Sequence, residues 1–137
     1  MTKVEIAVSE LRLEAVLEHE VAPKTCEAFT KLLPLTSQLI HVRWSGEAIW
    51  IPMDEAGVKL DFENHTSHPV PGQVIFYAGG YNEAEIFIPY GGCVFSSKVG
   101  QLAGNHFLTI IDGAETLKTI GERVLWEGAQ PISMKLA

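Results

Sequence analysis

The stretch HVRWSGEAIW, His41 to Trp50, carries side chains suited to ligand chemistry. Arg43 offers a planar fork of donors that matches a carboxylate or a carbonyl, and the His41 ring exchanges a proton near neutral pH. Side chains along a strand alternate between faces, so Leu39, His41 and Arg43 share one side, while Ile40, Val42 and Trp44 share the other. Arg43 and Trp44 therefore point apart. A two-residue turn at Ser45-Gly46 sets Trp44 near Glu47 and Arg43 near Ala48. The functional reading places Arg43 and His41 at the mouth of the fold. The plain reading puts Arg43 on the outer surface or against a nearby carboxylate.

Three further constellations are weighed in the same way. Glu63, His65 and His68 supply imidazole and carboxylate, good ligands for zinc or nickel. Pro69 and Pro71 keep that segment irregular, and an i,i+3 spacing there does not converge two imidazoles. It reads as a turn-rich loop tied down by Asn64 and Thr66, so the sequence calls for no metal and no cofactor. His106, in Asn105-His106-Phe107, stands at a strand start as a candidate base or hydrogen-bond donor. No activating partner is near it in sequence, and the alternative is a satisfied, partly buried ring. The pairs Gly79-Gly80 and Gly91-Gly92 neither open a helix nor precede a Lys-Ser/Thr, so they read as turns rather than phosphate cradles. Tyr77 and Tyr90 lie close by in sequence as candidate pocket walls, apolar with a polar tip. Neither a Gly-x-Ser-x-Gly elbow nor a Cys/His pair at motif spacing is present.

Composition narrows the classes. At 137 residues the chain is most economically one domain, residues 1–137, with enough length to bury a core. A formal net charge of -7 with scattered lysines and arginines leaves no basic stripe for nucleic acid or an anionic membrane. A cationic or neutral small ligand, or another protein, is the better partner. Cys26 and Cys93 lie far apart in apolar surroundings and read as free thiols in a reducing cytosol. No apolar run approaches the ~18 residues that a membrane helix needs, and the first residues lack a signal-peptide pattern. The expected location is the cytoplasm.

The positioning elements follow from periodicity. Val4, Ile6 and Val8 alternate, as do Leu11, Leu13, Ala15 and Leu17, predicting a hairpin about Ser9-Glu10. Cys26, Phe29, Leu32 and Leu33 recur at helical spacing between Pro23 and Pro34. Strands are then expected near 39–44, 48–52, 73–77, 85–89, 93–97 and 106–111, with a last one at 132–136. Asp112-Gly113-Ala114-Glu115 has capping-box form ahead of a helix through Leu117, Ile120 and Val124 to Gly128. Eight or nine short strands with two helices and little βαβ alternation predict a mainly β fold. It is a closed antiparallel barrel whose ends are plugged by helices.

Particular segments resemble a known family. EHEVAPKTCEAFTKLLP (18–34) is similar to the start of the first cyclophilin helix, DFENHTSHPVPGQVIFY (61–77) to a cyclophilin loop and buried strand, and GNHFLTI (104–110) to a strand with paired phenylalanines. HVRWSGEAIWIP, GQLAGNHFLTI and RVLWEGAQ together resemble a bacterial family of small cyclophilin-like proteins of unknown function over nearly the whole chain. The resemblance implies an eight-stranded barrel with a helix at each end. It also implies that Arg43 matches the arginine of a prolyl-isomerase groove, displaced by one residue, and Phe107 a groove phenylalanine. The chain departs from the pattern after Arg43, where no Gly-Phe-Met-x-Gln-Gly run follows, and it lacks a Trp-Leu-Asp-Gly-Lys-His segment.

The resulting expectation is a cyclophilin-like barrel that binds a small polar molecule at its mouth. Arg43 is the anchor, His41 and His106 are polar contacts, and Phe107, Tyr77 and Tyr90 form the walls. The alternatives are an enzyme using that pocket, as a residual prolyl isomerase or a small-molecule hydrolase or isomerase, and an interaction module assembling as a homo-oligomer.

Overall fold

Apolar alternation across a tight turn forms the first hairpin. β1 (Lys3–Val8) and β2 (Leu11–Leu17) pair antiparallel, Ile6 opposite Leu13 and Val8 opposite Leu11. The computed structural model describes residues 1–137. Six more strands follow: β3 (Leu35–His41), β4 (Gly46–Pro52), β5 (Gln73–Tyr77), β6 (Glu85–Cys93), β7 (Gly104–Asp112) and β8 (Gln130–Leu136). Their order is β2-β1-β8-β3-β4-β6-β5-β7, and β7 pairs back onto β2, closing an eight-stranded antiparallel barrel. The two chain ends lie side by side, with Val4 opposite Leu136 and the Ala137 N–H donating to the Lys3 carbonyl at 3.0 Å.

Two helices cap the barrel. α1 (Pro23–Thr30) packs on β7 through Cys26 and Phe29, and α2 (Leu117–Glu127) packs on β3, β4 and β6 through Leu117, Ile120 and Val124. The interior between them is filled by side chains such as Ile6, Leu13, Ile49, Ile86, Ile88 and Phe107, all members of one apolar cluster. Gly121 in α2 is obligatory, because a Cβ there would collide with the Tyr90 ring.

The strand alternation also gives β4, β5 and β6 an apolar outer face. Ala48, Ile75, Tyr77 and Phe87 point outward there and form a second cluster with Val42, Phe95 and Leu102. Phe95 and Leu102 come from the excursion after β6, where Ser96–Ser97 pairs with Gly100–Gln101. That excursion covers the outer sheet.

Several local expectations are corrected. β3 spans Leu35–His41, so Arg43 and Trp44 lie in the turn and do not extend the strand. The turn is wider than Ser45-Gly46: β3 ends at His41 and β4 begins at Gly46, leaving residues 42–45 between them, and the Val42 N–H donates across to the Ala48 carbonyl. Gly91-Gly92 is no turn, because β6 continues through it to Cys93, with a register shift against β4 at that point, and takes in the first residue of the strand expected at 93–97. Side-chain bulk is excluded at Gly91 because Glu47 lies across it. The capping box at Asp112 does not form. Residues Ala114–Thr116 make a 3-10 turn, and α2 begins after Thr116 without a side-chain cap.

Candidate functional site

The β3–β4 hairpin brings three expected site residues to one end of the barrel. His41 Nε2 and the Tyr90 hydroxyl lie 2.7 Å apart, with their rings edge to face at 5.6 Å. Burial lowers the His41 pKa, and the Arg43 charge lowers it further. Arg43 is exposed, and its guanidinium makes no hydrogen bond or ion pair within the chain. Trp44 turns away from it, donating from Nε1 to the Ser96 carbonyl at 3.0 Å. Glu47 accepts the Gly92 N–H at 3.1 Å, and its charge, after burial, helps to raise the Tyr90 pKa. His41 Nε2 and the Tyr90 hydroxyl thus pair beside α2, while the buried His41 Nδ1 has no partner and Arg43 remains a free cation at the rim.

The other expected residues fall elsewhere. Phe107 is fully buried, with ring centroids 4.9 Å from Phe29 and 5.8 Å from Phe76. This corrects its expected role as a groove wall: it has no surface to present to a ligand. Tyr77 stacks edge-on against Phe95, and its hydroxyl accepts the Tyr81 N–H at 3.0 Å. The apolar surface beside Arg43, where the resemblance implied a groove, is filled by Phe95 and Leu102. His106 is partly buried, and it has a partner that its sequence neighbourhood does not reveal. Thr109 Oγ1 donates to Glu18 Oε2 at 2.7 Å and lies 2.8 Å from His106 Nε2. One hydroxyl has one proton to give, so the histidine Nε2 is the donor in this chain. Burial lowers the His106 pKa against the opposing Glu18 charge.

His65 and His68 do not converge on a metal. His65 stacks on Phe62 with centroids 4.4 Å apart, and no group of three or more His, Cys, Asp or Glu side chains is arranged to hold a metal ion. Both thiols are free. Burial pushes Cys26 up to about 11 and also raises Cys93, so neither is an activated nucleophile.

A different site emerges where the loop after Leu60 meets β5 and β7. Ala22, the residue before helix α1, gives it no side-chain cap, leaving first-turn N–H groups that need acceptors. Glu63 supplies one: its Oε1 accepts the Thr25 N–H at 2.6 Å and the Thr25 hydroxyl at 2.8 Å, and its negative charge suits a helix N-terminus. Asn105 completes the lock. Its Oδ1 accepts the Glu63 N–H at 3.0 Å, while Nδ2 donates to Thr25 Oγ1 at 3.0 Å and to the Asp61 carbonyl at 2.9 Å. Thr25 and Asn105 are buried.

This lock fixes one wall of a cleft of about 250 Å3 lined by Leu60, Asp61, Phe62, Ala78, Gly79 and Tyr81, with Phe76, Tyr77, Ala103 and Asn105 beneath. The opposite wall is held by the Tyr81 N–H on the Tyr77 hydroxyl and by the Ala84 N–H on Asp54 Oδ1 at 2.6 Å. Phe62 and Tyr81 are 63% and 84% exposed, so two pinned loops present large aromatic side chains to solvent across a gap. Replacing Asn105 with alanine removes three hydrogen bonds, one of them to the buried Thr25 hydroxyl. The expected loss is about 2–3 kcal/mol, with faster hydrogen exchange at the amides of Thr25 and Glu63. Unchanged exchange there would show that the loop is held by other means.

Residues 4–136 match the family described as protein of unknown function, DUF3830. The chain belongs to this family. Among solved structures it is similar to McbB, determined in complex with tryptophan, with a TM-score of 0.76 and 18% identity over 96% of this chain. It spans 44% of the McbB chain. It is also similar to the hypothetical protein AF2241 from Archaeoglobus fulgidus, determined in solution, with a TM-score of 0.69 and 19% identity over 99% of this chain and 95% of that one. At these identities the likeness is one of fold. No curated protein matches the chain.

Within this DUF3830 protein, sequence reasoning did not select Phe62, Tyr81, Thr25 or Asn105. Phe62 and Tyr81 are single aromatics in polar loops, with no periodic pattern to mark them. A usable signal was present nonetheless: a large aromatic among Asp, Glu, Asn and Gly residues has no core to enter, and its exposure therefore calls for a reason.

Proposed function

We propose that this DUF3830 protein binds a small planar organic molecule in the cleft between Phe62 and Tyr81. The supporting observation is that hydrogen bonds, partly to fully buried, are committed to holding the loops that carry exposed aromatics: Asn105, Thr25 and Glu63 pin the Phe62 loop, and the Tyr77 hydroxyl pins the Tyr81 backbone. Solvent-exposed rings gain nothing in folding from being fixed in place, whereas a binding site gains affinity from pre-organised walls. At about 250 Å3 the cleft falls just below the usual ~300–1,000 Å3 of ligand pockets. That favours a ligand of one fused ring system over a nucleotide or a peptide. McbB, 44% of which is spanned by this chain, was determined with tryptophan, whose indole ring has this size and planarity. The lining lacks Ser, Cys, His and Lys, a makeup suited to binding.

A fragment screen by ligand-observed NMR tests the reading. Planar aromatic fragments are expected to bind wild type and to be weakened about tenfold or more by Phe62→Ala or Tyr81→Ala, the loss of one stacking contact worth ~1–3 kcal/mol. Arg43→Ala belongs in the same screen, because the free guanidinium keeps a second reading in play, with Arg43 anchoring an anion at the barrel rim. A fragment lost with Arg43→Ala but kept by Tyr81→Ala would move the site to the rim.

A further inference from the structure

Resting on that cleft, we infer that its ligand is an organic cation, an arylalkylammonium whose charge is read by Asp61 and by the faces of Phe62 and Tyr81. Asp61 is the sole formally charged residue lining the cleft. It is exposed, and its carboxylate makes no hydrogen bond or ion pair within the chain, although its carbonyl is fixed by Asn105 Nδ2 at 2.9 Å. An acid whose backbone is pinned and whose side chain is unspent leaves a charge available to a partner.

The remaining lining is consistent with this sign. Asn105 has committed both ends of its amide, Oδ1 to the Glu63 N–H and Nδ2 to Thr25 and Asp61, so it has no free donor aimed at an anion. The Tyr81 N–H is taken by the Tyr77 hydroxyl. Neither arginine nor lysine lines the cleft. Aromatic faces carry negative electrostatic potential and attract ammonium groups within ~6 Å of the ring centre. His65 covers one face of Phe62, stacked at an interplanar angle of 16°. The other face of that ring is the one left for a ligand. The net charge of -7 adds a long-range bias of the same sign.

Three probes sharing one ring system separate the charge from the ring: tryptamine as cation, indole-3-ethanol as neutral counterpart and indole-3-acetate as anion. Calorimetric or NMR titration of wild type, Asp61→Asn and Tyr81→Ala is the test. Tryptamine is expected to bind wild type about three- to tenfold tighter than indole-3-ethanol, the scale of an exposed cation–π contact joined to an exposed ion pair, and indole-3-acetate weakest of all. Asp61→Asn should bring tryptamine down toward the neutral probe while leaving indole-3-ethanol unchanged, and Tyr81→Ala should weaken all three. Equal binding of tryptamine and indole-3-ethanol by wild type, or a tryptamine preference that survives Asp61→Asn, overturns the cation inference and leaves the aromatic cleft standing. Failure of all three probes to bind overturns both.

Discussion

Truncating Phe107 to alanine is expected to destabilise the protein by about 3–5 kcal/mol, the usual cost of removing a fully buried phenylalanine. Its ring lies at the junction of α1 and the barrel, edge to face with Phe29 from the helix and Phe76 from β5. The lost ring would leave a cavity that neither backbone can close, because both belong to hydrogen-bonded elements. Chemical denaturation of wild type and variant measures this. A loss below about 1 kcal/mol would mean that Phe107 is not the core residue its full burial implies, and would return it to the groove role that the family resemblance suggested.

The second large effect concerns Glu85. This residue is 4% exposed on the outer face of β6, opposite Tyr77 on one side and Pro52 on the other, and its Oε2 has no hydrogen-bond partner. Burial, assisted by the Glu83 charge, pushes its pKa from 4.5 to about 8. Below the lower value both folded and unfolded chains carry the proton. Between the two values the unfolded chain ionises while the folded one keeps its proton, so stability falls as pH rises through this window and levels off above it. At ~1.4 kcal/mol per unit the full displacement is on the order of 5 kcal/mol. Movement of the carboxylate toward water recovers part of it, and a fall of about 2–4 kcal/mol from pH ~5 to ~8.5 is expected.

His41 and His106 act in the opposite direction at the acid end. Burial lowers both, so their contribution is lost as pH falls below the usual histidine range. Comparison with Glu85→Gln cancels them. The variant should lack the alkaline decline, and its stability relative to wild type should improve steadily as pH rises from ~5 to ~8.5. Parallel curves for the two proteins would show that Glu85 is ionised in the folded state.

Much of the barrel was legible in the sequence because it rests on local pattern. β1 and β2 follow from period-2 alternation, β4 and β5 from short apolar runs set between Gly, Pro and Asn clusters, and α1 from the spacing of Cys26 and Phe29 behind Pro23. Failures occurred where a long-range contact overrode a local rule. Gly91-Gly92 has turn composition, yet Glu47 from β4 lies over it and the strand continues. Asp112 and Glu115 have capping-box spacing, but Gly113 adopts a left-handed conformation and a 3-10 turn takes over. Of the expected site residues, His41, Arg43 and Tyr90 share one end of the barrel. The cleft was invisible, since the Asn105-Thr25 and Thr25-Glu63 bonds join residues 80 and 38 positions apart. No local window of sequence contains them.

The pairing of Val4 with Leu136 has a consequence for how such a fold is used. A chain that enters and leaves its barrel on adjacent antiparallel strands occupies little more than one strand spacing, ~4.8 Å, at its point of attachment. Strands paired in this way can be bridged by a short loop and the barrel opened instead at an exposed turn, without breaking its wall.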